Sequence, residues 1–531
     1  MAEGVRKTFK KQFFKYYRMI HPRPLNEATF AKEYGPVRMD NPELQKGELE
    51  PFYNMAIEET EEETYQAMEA FIYNLCSMHA RGGGQTVFSS INYGTDTSPE
   101  GRLVMHKILD ATDSGLGKGE TPIFPIQILK VKSGVTYDED DFWKAFNDPK
   151  GAMEGQIEFN APNFDLFVKS CYIAARRLFP TFLFLDASYN RHDKWNPDDP
   201  QRWRYEVATM GCRTRVFNDR HGETTAVSRG NLSFTTVNIV RPAIIAKDED
   251  EYFSLIEQAM DKAAEQLYAR YEFQCKARAK QFPFVMGQGL WKDGQELSPD
   301  DYVAELLKHG TLAIGFIGLA EALTALAGKH HGECARSQEL GLKIVEFMRK
   351  KCDYYAERYN LNYTLLATPA EGLSGRFTAL DKKEFGEIPG VTDKDYYTNS
   401  SHVPVYYPIT ASEKIQIEAP YHRLCNAGQI LYTEFDGNPR KNIPAYMKMI
   451  REMYYNDVNY GAINAPSDRC IACAFEGEIK TDCPACGETD LIERIRRITG
   501  YLVGTLDRWN SYKKAEEKDR IKHRLCGIDG Q

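Results

Sequence analysis

Four cysteines near the carboxyl end constrain the local fold more than any other feature of this sequence. Within "CIACAFEGEIKTDCPACG" they form two C-x-x-C pairs with nine residues between them, Cys470 with Cys473 and Cys483 with Cys486. Two such pairs can surround one tetrahedral cation, each giving two thiolates from a tight turn. The spacing predicts a zinc ribbon, with an iron centre or redox-active thiols as alternatives. Because protein would fill all four coordination positions, the zinc would be structural and would supply folding energy to this short segment.

The rest of the chain alternates short β-rich pieces with helical ones. Residues 50–80 predict a helix, and residues 231–245, "NLSFTTVNIVRPAII", predict a strand. The most apolar stretch, residues 311–328, contains Glu321 and is interpreted as a buried helix, not as a membrane span. Strands that alternate with helices indicate an α/β protein, either a barrel or a doubly wound sheet. No G-x-G-x-x-G motif or P-loop occurs, so a Rossmann fold has no support.

The net charge of −9 over 531 residues disfavours a general nucleic-acid-binding protein, which would carry a dominant basic face. A local cluster of arginines and lysines can still hold phosphate. The first residues are basic and aromatic, without an apolar core segment or a small-residue cleavage site. We therefore expect a cytoplasmic protein with no membrane association. Residues 1–50 show no clear period and are interpreted as an amino-terminal extension.

A glycine follows the cysteine cluster in an unusual setting. Gly500 lies fourteen residues beyond Cys486, in "IRRITGYLV". This stretch resembles the glycyl-radical signature at Arg497, Gly500 and Tyr501, although Thr499 replaces the usual Ser, Cys or Ala. A radical at a glycine α-carbon is delocalised into both flanking amides, which requires a near-planar centre that a side chain would crowd. The alternative is an ordinary turn glycine.

A stored radical needs a partner that performs the chemistry, and a cysteine thiol is suitable because it exchanges a hydrogen atom with glycine. The candidate is Cys212 in "ATMGCRTRV", between a predicted strand and a polar loop. The alternative for a lone cysteine is a small buried apolar residue.

Several motifs in one order resemble the anaerobic, class III ribonucleoside-triphosphate reductases. They are "SSINYGTDTSPEGR", "ETPIFPIQILKVK", "MGCRTR", "RGNLSF", "GFIGLAEAL", "ATPAEGLSGRF", the two cysteine pairs and "RITGY". The resemblance covers residues 55 to 510. It implies a ten-stranded α/β barrel with a central finger loop that carries Cys212, plus a small carboxyl-terminal zinc ribbon and glycyl-radical loop. The expected domains are an extension at 1–50 without an ATP-cone, the catalytic barrel at 51–465, and the zinc ribbon and glycyl radical domain at 466–531.

The resemblance also implies a reaction and its partners. Gly500 takes a hydrogen atom from Cys212, the thiyl removes the 3′ hydrogen of a ribonucleoside triphosphate, and the 2′ hydroxyl leaves as water. A separate radical S-adenosylmethionine activase with an iron–sulfur cluster would generate the glycyl radical. The reductant would be formate or a redoxin. A homodimer with dNTP or ATP effectors is expected, whereas on–off control by dATP is not.

Further site residues are carried by the same motifs, each with an ordinary structural alternative. Thr368 and Ala370, in "TPAEGLSG", are candidates to cradle phosphate, or they form a plain strand–helix turn. Asn238 is placed near the ribose, or it is a strand-edge asparagine. Cys76 is a candidate second active-site cysteine, or a core residue of its helix. Glu371 is a candidate acid, or a solvent-facing carboxylate.

Two other functions fit parts of the same pattern. One is a different glycyl radical enzyme of the lyase type, which would share Gly500. The other is a catalytically silent zinc-ribbon protein that binds nucleotides, in which Cys212 would have no role in any reaction.

Overall fold

The computed structural model describes residues 1–21, 23–80, 85–500, 502, 506 and 509–524. The chain divides into two compact units, Met1–Pro180 and Thr181–Gln531. Each unit combines helices with strands, so the α/β class predicted from the sequence is confirmed.

The first unit is mainly helical. Its helices are α1 (Ala2–Ile20), α2 (Glu27–Tyr34), α3 (Glu50–Ser77), α4 (Pro99–Ser114), α5 (Glu139–Asn147), α6 (Pro149–Met153) and α7 (Phe164–Arg177). Its strands are β1 (His79–Ala80), β2 (Gln85–Thr86), β3 (Ser90–Tyr93) and β4 (Ile126–Val131). Strands β3 and β4 are parallel, with Ser90 opposite Ile126, and β1 pairs with β2 in antiparallel fashion. The helix predicted at residues 50–80 is confirmed as α3.

The amino-terminal extension is more ordered than its composition indicates. Phe9, Phe13 and Phe30 are fully buried and share one apolar cluster with Phe52 and Ile72 of α3. The expectation that this segment has no clear period is wrong for α1, because its buried residues Val5, Phe9, Phe13 and Tyr17 recur at every fourth position. Residues 1–50 therefore belong to the core of the first unit.

The strands of the second unit are β5 (Thr181–Phe184), β6 (Thr209–Met210), β7 (Thr214–Arg215), β8 (Asn231–Asn238), β9 (Thr311–Ile317), β10 (Asn362–Ala367), β11 (Leu431–Glu434), β12 (Tyr460–Asn464), β13 (Ser467–Cys470), β14 (Glu476–Gly477) and β15 (Ile492–Ile495). In the described residues of this unit, the strands fall in the β8–β9–β10 sheet, a sheet with β5, β11 and β12, the ribbon sheet β13–β15 and the β6–β7 hairpin. Strand β9 lies between β8 and β10, parallel to both. Strand β12 is parallel to β11 and antiparallel to β5.

Long helices cover one face of the β8–β9–β10 sheet. The helices of the second unit are α8 (Val240–Ile245), α9 (Glu249–Cys275), α10 (Pro283–Gly287), α11 (Ala304–Leu307), α12 (Leu319–Ala327), α13 (Ala335–Tyr359), α14 (Gly372–Phe385), α15 (Ala411–His422), α16 (Ile443–Tyr455) and α17 (Ser511–Asp519). Ile256 and Met260 of α9 and Ile344 of α13 join Ile314 and Leu365 of the sheet in one buried core. Burial at this interface removes apolar surface from water and is the main stabilisation of the unit.

The interpretation of residues 311–328 as one helix is wrong. The first part is strand β9, buried at every position, and only Leu319–Ala327 is helical. Gly318, with φ of +87°, turns the chain between them. A central parallel strand is buried on both faces, so its apolar run has no alternation and resembles a buried helix in sequence.

The strand predicted at residues 231–245 is also too long. Strand β8 ends at Asn238, and helix α8 starts at Val240. The Asn238 side-chain oxygen accepts hydrogen bonds from the backbone N–H groups of Val240 and Arg241, at 3.0 and 3.3 Å. This contact satisfies donors that a helix start leaves open, and it ends the strand.

None of the helices in the described ranges is long and apolar enough to span a membrane. The predicted domain boundaries at residues 50 and 465 stay predictions. The division between the two compact units lies elsewhere, between Pro180 and Thr181.

Candidate active site

Cys212 lies at the tip of a two-stranded hairpin. Strands β6 and β7 are antiparallel, with Met210 opposite Thr214, and Gly211 turns the chain with φ of +56°. The hairpin is fixed from behind, because the Arg215 N–H donates to the Ala427 carbonyl at 2.7 Å.

Arg215 holds the hairpin a second time through its side chain. The guanidinium donates to the Tyr189 hydroxyl at 2.8 Å, to the Tyr189 carbonyl at 2.9 Å and to the Asn190 side chain at 3.2 Å. Arg215 is buried, so these hydrogen bonds form away from water, where charged donors bind their acceptors strongly. The tip that carries Cys212 is therefore held on a rigid base.

Gly500 lies in a tight turn that contacts this tip. Arg497 and Leu502 form an antiparallel bridge, and Gly500 between them has φ of +153°. A Cβ atom built on Gly500 would lie 2.8 Å from the Cys212 Cβ and 2.8 Å from the Cys212 carbonyl oxygen. No side chain fits at this position, so the sequence requires glycine for steric as well as conformational reasons. The structure thus brings Gly500 and Cys212 together.

The backbone on both sides of Gly500 is held by side chains, of which Arg213 and Arg497 are buried and Tyr432 is half-buried. The Thr499 carbonyl accepts hydrogen bonds from the Arg213 guanidinium and from the Tyr432 hydroxyl. The Gly500 carbonyl accepts one from Arg497 Nη1 at 3.1 Å. Tyr501, the last residue of the predicted signature, lies outside the described residues.

Helix α17 ties the same turn from the carboxyl-terminal side. Arg520, which follows this helix, donates to the Arg497 carbonyl at 2.9 Å and to the Ile498 carbonyl at 3.4 Å. Glu516 accepts from Arg520 at 3.1 Å and pairs with buried Lys513. These ions compensate one another away from water, which is the condition for burying charge.

The Cys212 thiol is neutral at physiological pH. Burial raises its pKa to about 11, with Arg213 and Thr499 opposing the shift and Glu371 adding to it. Its sulfur lies 3.9 Å from the Thr499 hydroxyl. A group that exchanges hydrogen atoms must keep its S–H bond, so this environment suits hydrogen-atom transfer and not thiolate chemistry.

The four cysteines of the ribbon converge on one point. All four Sγ atoms lie within 4.8 Å of one another, with Cys470 and Cys486 at 3.6 Å and Cys473 and Cys483 at 3.5 Å. A tetrahedral zinc with Zn–S bonds near 2.3 Å would place sulfur atoms about 3.8 Å apart. The donor set and the spacing both fit zinc.

Both turns of the ribbon have the same backbone geometry. The Ala474 N–H donates to the Cys470 carbonyl at 2.9 Å, and the Gly487 N–H donates to the Cys483 carbonyl at 2.8 Å. The ribbon sheet places β13 between β14 and β15, and Arg496, directly after β15, binds buried Asp468 of β13. The chain therefore leaves the cysteine cluster in a fixed direction, towards Gly500.

The other predicted site residues occupy varied positions. Thr368 and Ala370 are buried between β10 and α14, and the Thr368 hydroxyl lies 3.0 Å from that of Thr236. Glu371 is the residue before helix α14 and is close enough to affect the pKa of Cys212. Asn238 donates to Asp381 at 2.7 Å and accepts from the Val240 N–H at 3.0 Å, and its placement near the ribose stays a prediction.

Cys76 belongs to the first unit, where it lies in the last turn of helix α3. Its thiol donates to the Phe124 carbonyl at 3.0 Å, and burial raises its pKa. The role of Cys76 as a second active-site cysteine stays a prediction.

Sequence reasoning missed the residues that hold the glycine turn. Arg213 carried a weak signal, since it adjoins Cys212 in "MGCRTR". Tyr432 and Arg520 carried none, because each reaches the turn only through contacts distant in sequence, such as Tyr432 with Thr499.

A solved structure with this α/β fold is the anaerobic ribonucleotide reductase from Thermotoga maritima in complex with dATP and CTP. The TM-score is 0.58 at 14% identity, and the match covers 88% of this chain and 72% of that chain. The fold class is therefore that of an anaerobic ribonucleotide reductase. The model of the anaerobic ribonucleoside-triphosphate reductase family matches residues 14–523, and the chain belongs to this family.

Individual relatives agree with the family model. The anaerobic ribonucleoside-triphosphate reductase of Salmonella typhimurium is 32% identical over 479 residues, which is 87% of this chain and 62% of the relative. That of Enterobacteria phage T4 is 30% identical over 518 residues, covering 94% of this chain and 77% of the relative. The chain thus spans less than two thirds of the bacterial relative's length.

Proposed function

We propose that this protein reduces ribonucleoside triphosphates to 2′-deoxyribonucleoside triphosphates by radical chemistry, supplying precursors for DNA synthesis in the absence of oxygen. Family membership gives the reaction class. The observation that carries the mechanism is the contact between Gly500 and the tip residue Cys212, where a Cβ would lie 2.8 Å from the cysteine side chain. Radical exchange between two residues requires contact of this kind.

In the proposed reaction, the radical rests on the Gly500 α-carbon and the Cys212 thiol gives it a hydrogen atom. The resulting thiyl removes the 3′ hydrogen of the ribose, and the 2′ hydroxyl leaves as water with one proton. The net change consumes two electrons and two protons. Formate supplies the electrons by oxidation to carbon dioxide, or a redoxin dithiol supplies them by forming a disulfide. Cys76 and Glu371 are the candidate residues for these two routes.

The triphosphate needs hydrogen-bond donors, and the turn between β10 and α14 offers them. Helix α14 spans Gly372–Phe385, and its first N–H groups point out of the helix start next to Thr368 and Ala370. A Cβ built on Gly372 would meet nothing within 4 Å, so this turn leaves space for a phosphate. We assign the triphosphate to this turn and retain Asn238 as a candidate ribose contact.

Five further assignments complete the proposal: a metal, an activating partner, a location, an oligomeric state and effectors. The ribbon cysteines hold a structural zinc that fixes the direction of the glycine loop. A radical S-adenosylmethionine activase with an iron–sulfur cluster forms the Gly500 radical. The protein acts as a cytoplasmic homodimer, and it binds dNTP or ATP effectors, in line with the dATP-bound Thermotoga maritima relative.

The test is anaerobic activation of the full chain with an activase, followed by electron paramagnetic resonance and product analysis. We expect a doublet signal, and deoxynucleotide from CTP or ATP with formate or with thioredoxin supplied in turn. Cys212→Ser should keep the doublet and form no product. Nucleotide binding without product after activation would reject the proposal, and release of formate from pyruvate would assign a lyase instead.

A further inference from the structure

We propose that hydrogen bonds to the two amide groups flanking Gly500 set the stability of its radical, with Arg497 and Tyr432 acting in opposite directions. The inference rests on the function proposed above and assigns electronic roles to two residues of the glycine turn. Its basis is that the Thr499 carbonyl accepts hydrogen bonds from half-buried Tyr432 and buried Arg213, and the Gly500 carbonyl accepts one from buried Arg497.

Arg497 acts on the carbonyl of the radical residue itself. Its Nη1 donates to the Gly500 oxygen at 3.1 Å, and its Nε donates to the Asn464 side chain at 3.0 Å. Arg497 is only 2% exposed, so its charge is weakly screened. A charged donor draws electron density into this carbonyl, which is the electron-accepting half of the delocalised radical. Arg497 therefore spreads the unpaired electron and stabilises the radical.

Tyr432 acts on the other flanking amide. Its hydroxyl and the Arg213 guanidinium both donate to the Thr499 carbonyl. That carbonyl shares the lone pair of the Gly500 nitrogen, which is the electron-donating half of the radical. Hydrogen bonds to the Thr499 oxygen pull the lone pair away from the α-carbon. Tyr432 therefore makes the radical less stable than it would be in an unbound turn.

The opposition matters because the exchange must run in both directions. One hydrogen atom moves from Cys212 to Gly500, so an S–H bond breaks, a C–H bond forms and no charge changes. The atom returns to sulfur after each turnover. A radical that is too stable would stay on glycine, and one that is not stable enough would not be stored. Together, Arg497 and Tyr432 keep the stability of the Gly500 radical between these two limits.

Arg520 supplies the matched control. Its guanidinium donates to the Arg497 and Ile498 carbonyls. Arg520 therefore contacts the same turn as Arg497 and with the same type of charged group. Neither of these carbonyls belongs to an amide that flanks Gly500. Loss of Arg520 loosens the turn without changing the electronics of the α-carbon.

The experiment compares Arg497→Gln, Arg497→Lys, Tyr432→Phe and Arg520→Gln in the full chain after anaerobic activation. The doublet splitting reports spin density at the α-carbon, and its collapse in D₂O reports exchange of the α-hydrogen through Cys212. Arg497→Gln should widen the doublet splitting and speed the exchange of the α-hydrogen. The exchange rate should rise about tenfold, because the variant loses one hydrogen bond from a charged donor. Arg497→Lys should lie between this variant and the unmodified chain. Tyr432→Phe should narrow the splitting and slow the exchange, and Arg520→Gln should leave the splitting unchanged.

Equal splittings in all variants, or shifts of the same sign in Arg497→Gln and Tyr432→Phe, would overturn the inference. A splitting in Arg520→Gln that changes as much as in Arg497→Gln would assign the effect to loop position and would also overturn it. Absence of any doublet in the unmodified chain after activation would instead reject the proposed function.

Discussion

Gly428 lies directly against the backbone of Arg213, the residue after the hairpin-tip cysteine. Gly428 has φ of +114°, and a Cβ atom built on it would lie 1.9 Å from the Arg213 carbonyl oxygen. The position of Cys212 is therefore set from behind by a residue more than two hundred positions later in the chain.

Gly428→Ala should displace the hairpin and destabilise the protein. The backbone at positive φ costs about 1–2 kcal/mol for a non-glycine residue, and the contact with a rigid carbonyl adds to this. We expect a lower unfolding temperature and a loss of most deoxynucleotide formation. Gly437→Ala is the control, since Gly437 has φ of +99° and its Cβ would meet nothing within 4 Å. Equal activity in both variants would contradict this role of Gly428.

Gly500→Ala should abolish the radical because the methyl group would overlap Cys212. The variant should give no doublet after activation, while its unfolding temperature falls by only a few degrees. Gly477→Ala is a close match for backbone strain, since Gly477 has φ of +154° and its Cβ would face only the Phe475 ring at 3.2 Å. A doublet in Gly477→Ala together with none in Gly500→Ala is the expected result. A doublet in Gly500→Ala would place the radical elsewhere.

The sequence predicts the parts of this site that are local. The cysteine spacing identifies a cluster whose sulfur atoms do converge. Elsewhere in the fold, helix α3 is also predicted, because its apolar residues recur at helical spacing. The contacts that assemble the site are distant in sequence and leave no pattern, as with Tyr432 and Thr499 or Gly428 and Arg213. The apolar run at 311–328 does not reveal strand β9, because burial on both faces of a strand removes the alternation on which strand prediction depends.

The Cys212 thiol should react slowly with alkylating reagents. Its pKa is raised to about 11 by burial, so its thiolate fraction at pH 8 is about a hundredfold below that of an ordinary cysteine. Cys334 is the internal reference, because a hydrogen bond with Ser337 lowers the pKa of its thiol. Peptide-resolved mass spectrometry after iodoacetamide treatment under anaerobic conditions measures both. Alkylation of Cys212 as fast as Cys334 would show an ionised thiol and argue against hydrogen-atom exchange.

Removal of the zinc that we propose for the ribbon should release the glycine turn. The apolar cluster of the ribbon is small, with Ile479 buried and Phe475 and Ile492 partly buried against it. Metal binding would therefore supply most of the ribbon's stability. Cys473→Ser should lower the zinc content from about one per chain to near zero and remove the doublet after activation. Cys334→Ser, outside the cluster, should keep both. Full zinc content in Cys473→Ser would contradict the assignment of this residue as a ligand.

Glu321 should make stability depend on pH in the neutral range. Burial raises its pKa to about 7, against hydrogen bonds from the N–H and hydroxyl of Thr398 at 2.8 and 2.7 Å. The unfolded chain releases this proton near pH 4.5 and the folded chain near pH 7. Burial of Glu321 therefore leaves the free energy of unfolding unchanged below pH 4.5, where the carboxyl is protonated in both states. The free energy of unfolding falls as the pH rises from 4.5 to 7, and the loss reaches about 3 kcal/mol above pH 7.

Glu321→Gln removes this titration and keeps an oxygen that can accept from Thr398. The variant should exceed the unmodified chain in unfolding free energy by less than about 1 kcal/mol at pH 5 and by about 3 kcal/mol at pH 8. Urea unfolding at the two pH values measures the difference. Glu346→Gln, at an exposed carboxylate of α13 that pairs with Lys350, should shift stability little at either pH. A Glu321→Gln variant that gains no stability between pH 5 and pH 8 would show that the buried carboxyl is ionised at a lower pH than its surroundings indicate.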